Sequence, residues 1–265
     1  MVRVLGILLL LAANHACARP ERIVSLSPHI TEMLFAIGAG EQVVATDEAS
    51  DYPARVASLP KVANYRSLNL ERILALQPDL VVAWRSAQSL QVAPLEQLGI
   101  RVVYSEPRRL HDLADELEYL GRLTGQEHQA SQVAAHYRRE LDQLARQYRD
   151  AAAVSVFYQL GESPLMSVNG DTWMGQAVRL CGGENITEHS LSPYPQIDPE
   201  FVLAQNPGVI LAENRAQLRR WLDWPELKAV QKRQLFTIDA DSLHRFTPRT
   251  PAGIATLCRQ LELAR

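Results

Sequence analysis

The feature that most constrains this chain is a segment that recurs 129 positions downstream. Glu71, Leu74, Ala75 and Pro78 are matched in register by Glu200, Leu203, Ala204 and Pro207. A β-branched run follows each copy, residues 80–82 in the first and 209–211 in the second. A weaker echo links Gly40-Glu41 to Gly183-Glu184. Long-period self-similarity means that one supersecondary unit is built twice, so the chain describes two similar lobes.

The units are α/β. Short apolar runs at 23–26, 43–45, 80–83 and 102–104 read as buried strands, with helical stretches at 31–37, 70–76 and 92–98 between them. That alternation implies mainly parallel sheets with helices on their faces. From 110 to 148 the strand signal vanishes, broken only at Thr124-Gly125. Ala130, Val133, Ala134, Tyr137, Leu141, Leu144, Ala145 and Tyr148 then recur at helical spacing. About 23 residues from Gln126 would make a rod of roughly 35 Å, long enough to bridge two lobes. The α/β rhythm resumes at 154–160, 209–211 and 235–238. Two lobes enclose a cleft, where small ligands bind.

The first residues set the compartment. Arg3, the apolar run 4–13 and Ala16-Cys17-Ala18 have the three parts of a secretory signal peptide. The apolar run is shorter than the ~20 residues of a spanning helix. Cleavage after Ala18 is expected, rather than lipidation of Cys17, because Asn14 stands where a lipoprotein signal has an apolar residue. Cys181 and Cys258 then remain, and an even pair in an exported chain reads as one disulfide. Two buried free thiols are the plain alternative.

Charge and motifs exclude whole classes. With 27 basic and 30 acidic residues the formal net charge is −3, against nucleic-acid binding. G-x-G-x-x-G, P-loop, G-x-S-x-G and H-E-x-x-H patterns are all missing; Gly161-Glu162-Ser163-Pro164 lacks the second glycine of a nucleophile elbow. No catalytic residue is assigned, and a solute binder is expected rather than an enzyme. Tyr52, Tyr65, Trp84, Tyr194 and Phe246 fall at predicted strand ends or loops, where flat faces suit a large apolar ligand or simply pack loop bases. His29, His189 and His244 fall in predicted loops; three histidines from two lobes would suit a transition metal, but their spacing resembles no ligand pair and surface histidines are the better reading. Glu71 and Glu200 enter the first turns of helices capped by Asn69 and by Asp198-Pro199. Each either complements the helix dipole or offers a carboxylate for docking, and the two roles are compatible.

Seven segments occur in order: Ser25-Leu26-Ser27-Pro28 with Thr31-Glu32, Ser50-Asp51-Tyr52-Pro53, Asn69-Leu70-Glu71-Arg72-Ile73, Pro78-Asp79-Leu80-Val81, Ala83-Trp84-Arg85, Cys181-Gly182-Gly183-Glu184-Asn185-Ile186 and Pro195-Gln196. Together they resemble the periplasmic cobalamin-binding proteins of ABC importers, of the helical-backbone class of solute-binding proteins, over nearly the whole mature chain. The first two segments are shared with haem and siderophore binders of that class. The resemblance implies a ligand site at Tyr65, Trp84, Tyr194 and the loop Asp241, Ser242, Leu243, His244 and Arg245. It also implies a Cys181–Cys258 disulfide and docking of Glu71 and Glu200 on arginines of a permease dimer. Tyr65 and Tyr194 stand where the family has tryptophan, Ala49 where an aromatic occurs, and Ser242-Leu243 where the pair is more aromatic.

The expectation is therefore a monomeric, periplasmic α/β protein with two similar lobes, mainly parallel sheets and one long bridging helix. Its parts are a signal peptide at 1–18, an N-terminal lobe at 19–108, a helical segment at 109–150 and a C-terminal lobe at 151–265. It would carry cobalamin as cargo, with no cofactor and no metal of its own; a haem or siderophore binder is the same-class alternative, and a corrinoid- or metal-dependent enzyme the different-class one.

Overall fold

The strands form where apolar side chains alternate between two buried faces, and the computed structural model describes residues 19–265. The predicted signal peptide lies outside the described residues. In chain order the elements are β1 (Ile23–Ser25), α1 (Pro28–Ala36), β2 (Val43–Asp47), β3 (Lys61–Ala63), α2 (Leu70–Ala75), β4 (Leu80–Trp84), α3 (Arg85–Gln97), β5 (Val102–Ser105), α4 (Asp112–Thr124) and α5 (Glu127–Gln147). There follow β6 (Val154–Tyr158), β7 (Gly161–Glu162), β8 (Leu165–Met166), α6 (Trp173–Leu180), β9 (Gly183–Asn185), α7 (Pro199–Gln205), β10 (Val209–Ala212), α8 (Arg215–Arg219), α9 (Lys228–Gln231), β11 (Leu235–Thr237), α10 (Ala240–Leu243) and α11 (Thr250–Glu262).

Two parallel sheets result, one of order β3-β2-β1-β4-β5 and one of order β11-β10-β6-β9, beside a small β7-β8 hairpin. The internal repeat is visible in them. Read from the opposite edge, β9-β6-β10-β11 has the order of β2-β1-β4-β5, and β4 and β10 follow the repeated segment. Strands 2 and 9 were echoed only weakly in sequence, and β9 itself was missed because Gly183-Glu184-Asn185 reads as a turn. β3 was missed as well, being three residues long with a lysine at its start.

Alternation divides the interior. Ile23, Leu80 and Val82 face a core shared with Val156, Tyr158, Val209 and Leu211 of the other sheet. Leu113, Leu117, Ala134, Tyr137 and Leu141 of α4 and α5 join the same core. The opposite faces, with Val24 and Val81 or Phe157 and Ile210, fill two smaller cores. A helical segment that shares one core with both lobes, with α4 against α1 and α5 against α11, holds the lobes more firmly than a loop hinge, because separation would expose apolar surface at ~25 cal/mol per Å². The 21 residues of α5 agree with the expected rod. Cys181, at the end of α6, is bonded to Cys258 of α11, and both sulfurs are buried.

The Cys-Gly-Gly-Glu-Asn segment has a packing reason. Gly182 adopts φ +73°. A Cβ on Gly183 would come within 2.7 Å of Val178 and 2.8 Å of Leu261, so only glycine admits β9 this close to α6 and α11. The buried Asn185 amide donates to the Val168 carbonyl at 2.6 Å and accepts from the Tyr158 N–H at 3.1 Å.

Candidate functional site

Parallel sheets bind ligands beyond their carboxyl ends, where the strand order reverses. In the first sheet that point lies between β1 and β4, and Leu26, Ser27, Pro28 and Trp84 emerge there. A buried chain of hydroxyls shapes the neighbouring loop. Ser25 and Thr31 hydroxyls meet at 2.8 Å, Thr31 and Ser50 at 2.9 Å, and Ser50 donates to Asp47. Burial pushes the Asp47 carboxyl up despite these donors. From the other lobe come Trp173, at the start of α6, and the segment after α10. The Trp173 indole stacks on Phe246 with centroids 5.4 Å apart and donates to the Leu243 carbonyl at 2.8 Å.

Three adjoining cavities, of about 400, 150 and 620 Å³, share Trp84. The first is lined from the N-terminal lobe alone, and Tyr65 stands on its wall; the second adds Trp173, His244, Arg245 and Phe246; the third adds Tyr194. Tyr65 (82% exposed) and Tyr194 (38%) are open, while Trp84 is half-buried and meets His29 edge-on at 5.4 Å. A larger depression of about 900 Å³ lies beside β9, lined from the C-terminal lobe alone by a mixture of polar and apolar side chains.

The predicted residues separate accordingly. Tyr65, Trp84, Tyr194, His244 and Arg245 line the cleft cavities. Ser242 and Leu243 are buried behind them, the Ser242 hydroxyl donating to Asp239 at 2.7 Å. Asp241 is exposed and pairs with Arg245 at 3.2 Å. The histidines do not converge: His189 lines the outer depression, whereas His29 and His244 line the cleft. His29 lies inside α1, not in a loop, since Pro28 takes the first helical position, and it is buried rather than at the surface. Burial pushes its pKa down to about 4, and also lowers that of His244, whose buried Nε2 has no partner among the described residues. Among the described residues no three His, Cys, Asp or Glu side chains gather as a metal site.

Sequence reasoning missed Trp173, Glu32 and Arg249. Trp173 carries one usable signal, the N-cap at Thr172, which opens a helix facing the loop. Glu71 and Glu200 are both exposed in first turns, under caps in which Asn69 accepts from Arg72 N–H at 2.9 Å and Asp198 from Phe201 N–H at 2.7 Å. Neither carboxylate is ion-paired among the described residues.

Residues 23–242 match the family described as periplasmic binding protein. The chain belongs to that family. It is 36% identical over 246 residues to the vitamin B12-binding protein of Vibrio parahaemolyticus, covering 91% of this chain and 90% of that one. The crystal structure of the periplasmic vitamin B12-binding protein BtuF of Vibrio cholerae superposes with a TM-score of 0.87 at 38% identity, covering 92% of this chain and 98% of that one. The periplasmic haem-binding protein RhuT of Roseiflexus, in its apo form, superposes with a TM-score of 0.81 at 25% identity, covering 92% and 99%. Like other members, this periplasmic binding protein places its cleft between two α/β lobes. Among its described residues no helix is long and apolar enough to cross a membrane.

Proposed function

We infer that this periplasmic binding protein captures cobalamin, or a closely related corrinoid, between its lobes and delivers it to an inner-membrane ABC importer. The lobes are residues 19–108 and 151–265, with the helical segment 109–150 between them. The protein binds and releases; the importer's ATPase supplies the energy, and the ligand leaves unchanged.

One observation carries this reading: relatives named for vitamin B12 binding match nearly the whole chain. The cleft chemistry supports it. Trp84, with Tyr65 and Tyr194 on opposite lobes, offers flat apolar contact for a corrin ring, and Arg245, paired with Asp241 behind it, offers polar contact for its amide side chains. The haem alternative fits less well, because propionates call for free arginines. The arginines lining the three cavities are Arg108 and Arg245, and both face carboxylates already, Arg108 at 4.0 Å from Glu106. Four carboxylates line the same cavities, from Asp47, Glu48, Glu106 and Asp171.

Docking is carried by Glu71 and Glu200, exposed at equivalent helix starts and without an ion-pair partner among the described residues, facing cationic groups on a two-fold permease. The monomer presents one carboxylate to each permease subunit.

Titration calorimetry tests the ligand. Cyanocobalamin is expected to bind the purified protein, and Trp84→Ala to weaken it roughly 10–100-fold, given ~1.5–3 kcal/mol for a large buried side chain. The fold should survive, as far-ultraviolet circular dichroism will report. Haemin binding with no heat from cobalamin would refute the ligand and leave only the family.

A further inference from the structure

An ion-pair cluster joins the lobes beside the cleft. Glu32, on α1, has 3% of its side chain exposed. Its carboxylate accepts from Arg249 at both oxygens, from Nε at 2.8 Å and Nη2 at 2.6 Å. Arg245 Nη1 stands 3.5 Å from the same carboxylate. Arg245 also pairs with Asp51 of the N-terminal lobe and Asp241 of its own. Three carboxylates thus meet two guanidiniums, and the cluster carries an excess negative charge.

A buried carboxylate is costly even when paired, and an apolar residue in its place is often as stable. Glu32 therefore calls for a use beyond stability. Of the five groups only Arg245 lines the cavity. Its guanidinium is the donor a ligand meets, and the acids behind it decide the charge that accompanies the donor. An amide carbonyl can accept from such an arginine without adding charge. A ligand carboxylate would approach Glu32, Asp51 and Asp241 and be repelled by all three.

We propose that Glu32 is a specificity-determining residue acting through Arg245: Asp51 holds the guanidinium through both terminal nitrogens, and the buried Glu32 charge 3.5 Å behind it offsets its charge, so the cleft accepts corrinoids rimmed with amides and rejects those rimmed with carboxylates. The inference rests on the corrinoid reading and adds what the side chains must be. Both arginines belong to the C-terminal lobe while Glu32 and Asp51 belong to the N-terminal lobe, so the discrimination exists only when the lobes stand together as they do here.

The test compares cobinamide, whose side chains are amides, with cobyrinic acid, whose side chains are free carboxylates. Wild type is expected to favour cobinamide. Glu32→Gln keeps the volume and removes one charge, and should narrow that preference about tenfold, as expected for loss of a charge a few ångströms away. Asp51→Asn, more exposed, should narrow it less. Arg249→Gln removes a positive charge and should widen it. A merely structural clasp predicts a different pattern, with Glu32→Gln and Arg249→Gln loosening the lobes, weakening both ligands together and leaving the ratio unchanged. An unchanged ratio in Glu32→Gln and Asp51→Asn, or shifts in the same direction for Glu32→Gln and Arg249→Gln, would overturn the proposal. Should Glu32→Gln fail to fold, Asp51→Asn and Arg249→Gln must still move the ratio in opposite directions, and equal ratios would overturn it. If wild type binds neither corrinoid, the functional reading fails first, and the wild-type titration alone reveals that.

Discussion

The two lobes share a strand order and a helix cap but not a cleft wall. In both, a capped first turn with an exposed glutamate leads through a short helix to the strand that sits at the point of reversal. Beyond that point they diverge. The N-terminal lobe adds β3 at its edge and delivers Trp84 and His29; the C-terminal lobe adds a hairpin and a disulfide and delivers Trp173, His244, Arg245 and Phe246. Backbone repetition therefore builds the scaffold and spaces the two glutamates. Recognition comes from segments outside the repeat. Among the described residues, the one strong charge lining the cavity of about 150 Å³, Arg245, comes from the lobe whose loop is pinned by the Trp173 indole, while the acids that neutralise it across the cleft come from the other.

The disulfide offers the largest break in this comparison. Cys181→Ser with Cys258→Ser opens a loop of 77 residues, and loop-closure entropy predicts a loss of about 4.5 kcal/mol. Hydrogen exchange should show α6 and α11 losing protection before β1 and β4. Equal losses in both sheets would mean that the shared core makes the lobes a single cooperative unit.

Acid separates the lobes next. His29 is neutral when folded, with its pKa pushed down to about 4, whereas the unfolded chain takes up the proton near its ordinary value of 6.5. Stability is therefore complete above pH 6.5 and falls as pH drops toward 4, by roughly 3 kcal/mol, then levels off. Urea melts at pH 7 and 4.5 should show His29→Phe much less acid-sensitive than wild type. His244→Phe should change the profile less, because Glu213 and Asp239 oppose the burial that lowers it.

The smallest effect on stability sharpens the likeness instead. Glu71→Gln with Glu200→Gln removes two helix-dipole interactions of ~0.3–1 kcal/mol each and should leave cobalamin affinity intact. Transport in vesicles reconstituted with the importer should fall, and the two single variants should fall equally if the lobes dock symmetrically. Unaltered transport by the double variant would reduce both glutamates to helix-dipole partners.

Much of the scaffold was legible because its causes are local. The caps at Asn69 and Asp198, the strands at 80–84 and 209–212 and the amphipathic rod of α5 follow from neighbouring residues and periodicity. β9 was not legible, since a glycine and an asparagine look like a turn until Val178 and Leu261 close over Gly183. His29 looked like a loop residue because Pro28 both ends an extended segment and opens a helix. At the site, Tyr65, Trp84, Tyr194 and Arg245 could be named as separate residues, but not the cavity that joins them.

By itself the sequence determined two like α/β units, a rod between them and the cysteines available to pair, all carried by patterns a few residues wide or by direct repetition. Only the tertiary structure decided that Glu32 meets Arg249 across 217 residues, that Trp84 is common to three cavities and that His29 turns inward. Those outcomes depend on how the two lobes and the helices between them pack around one shared core. A local pattern can say that a side chain is charged or apolar, but the partner it meets is set by chain that is distant in sequence.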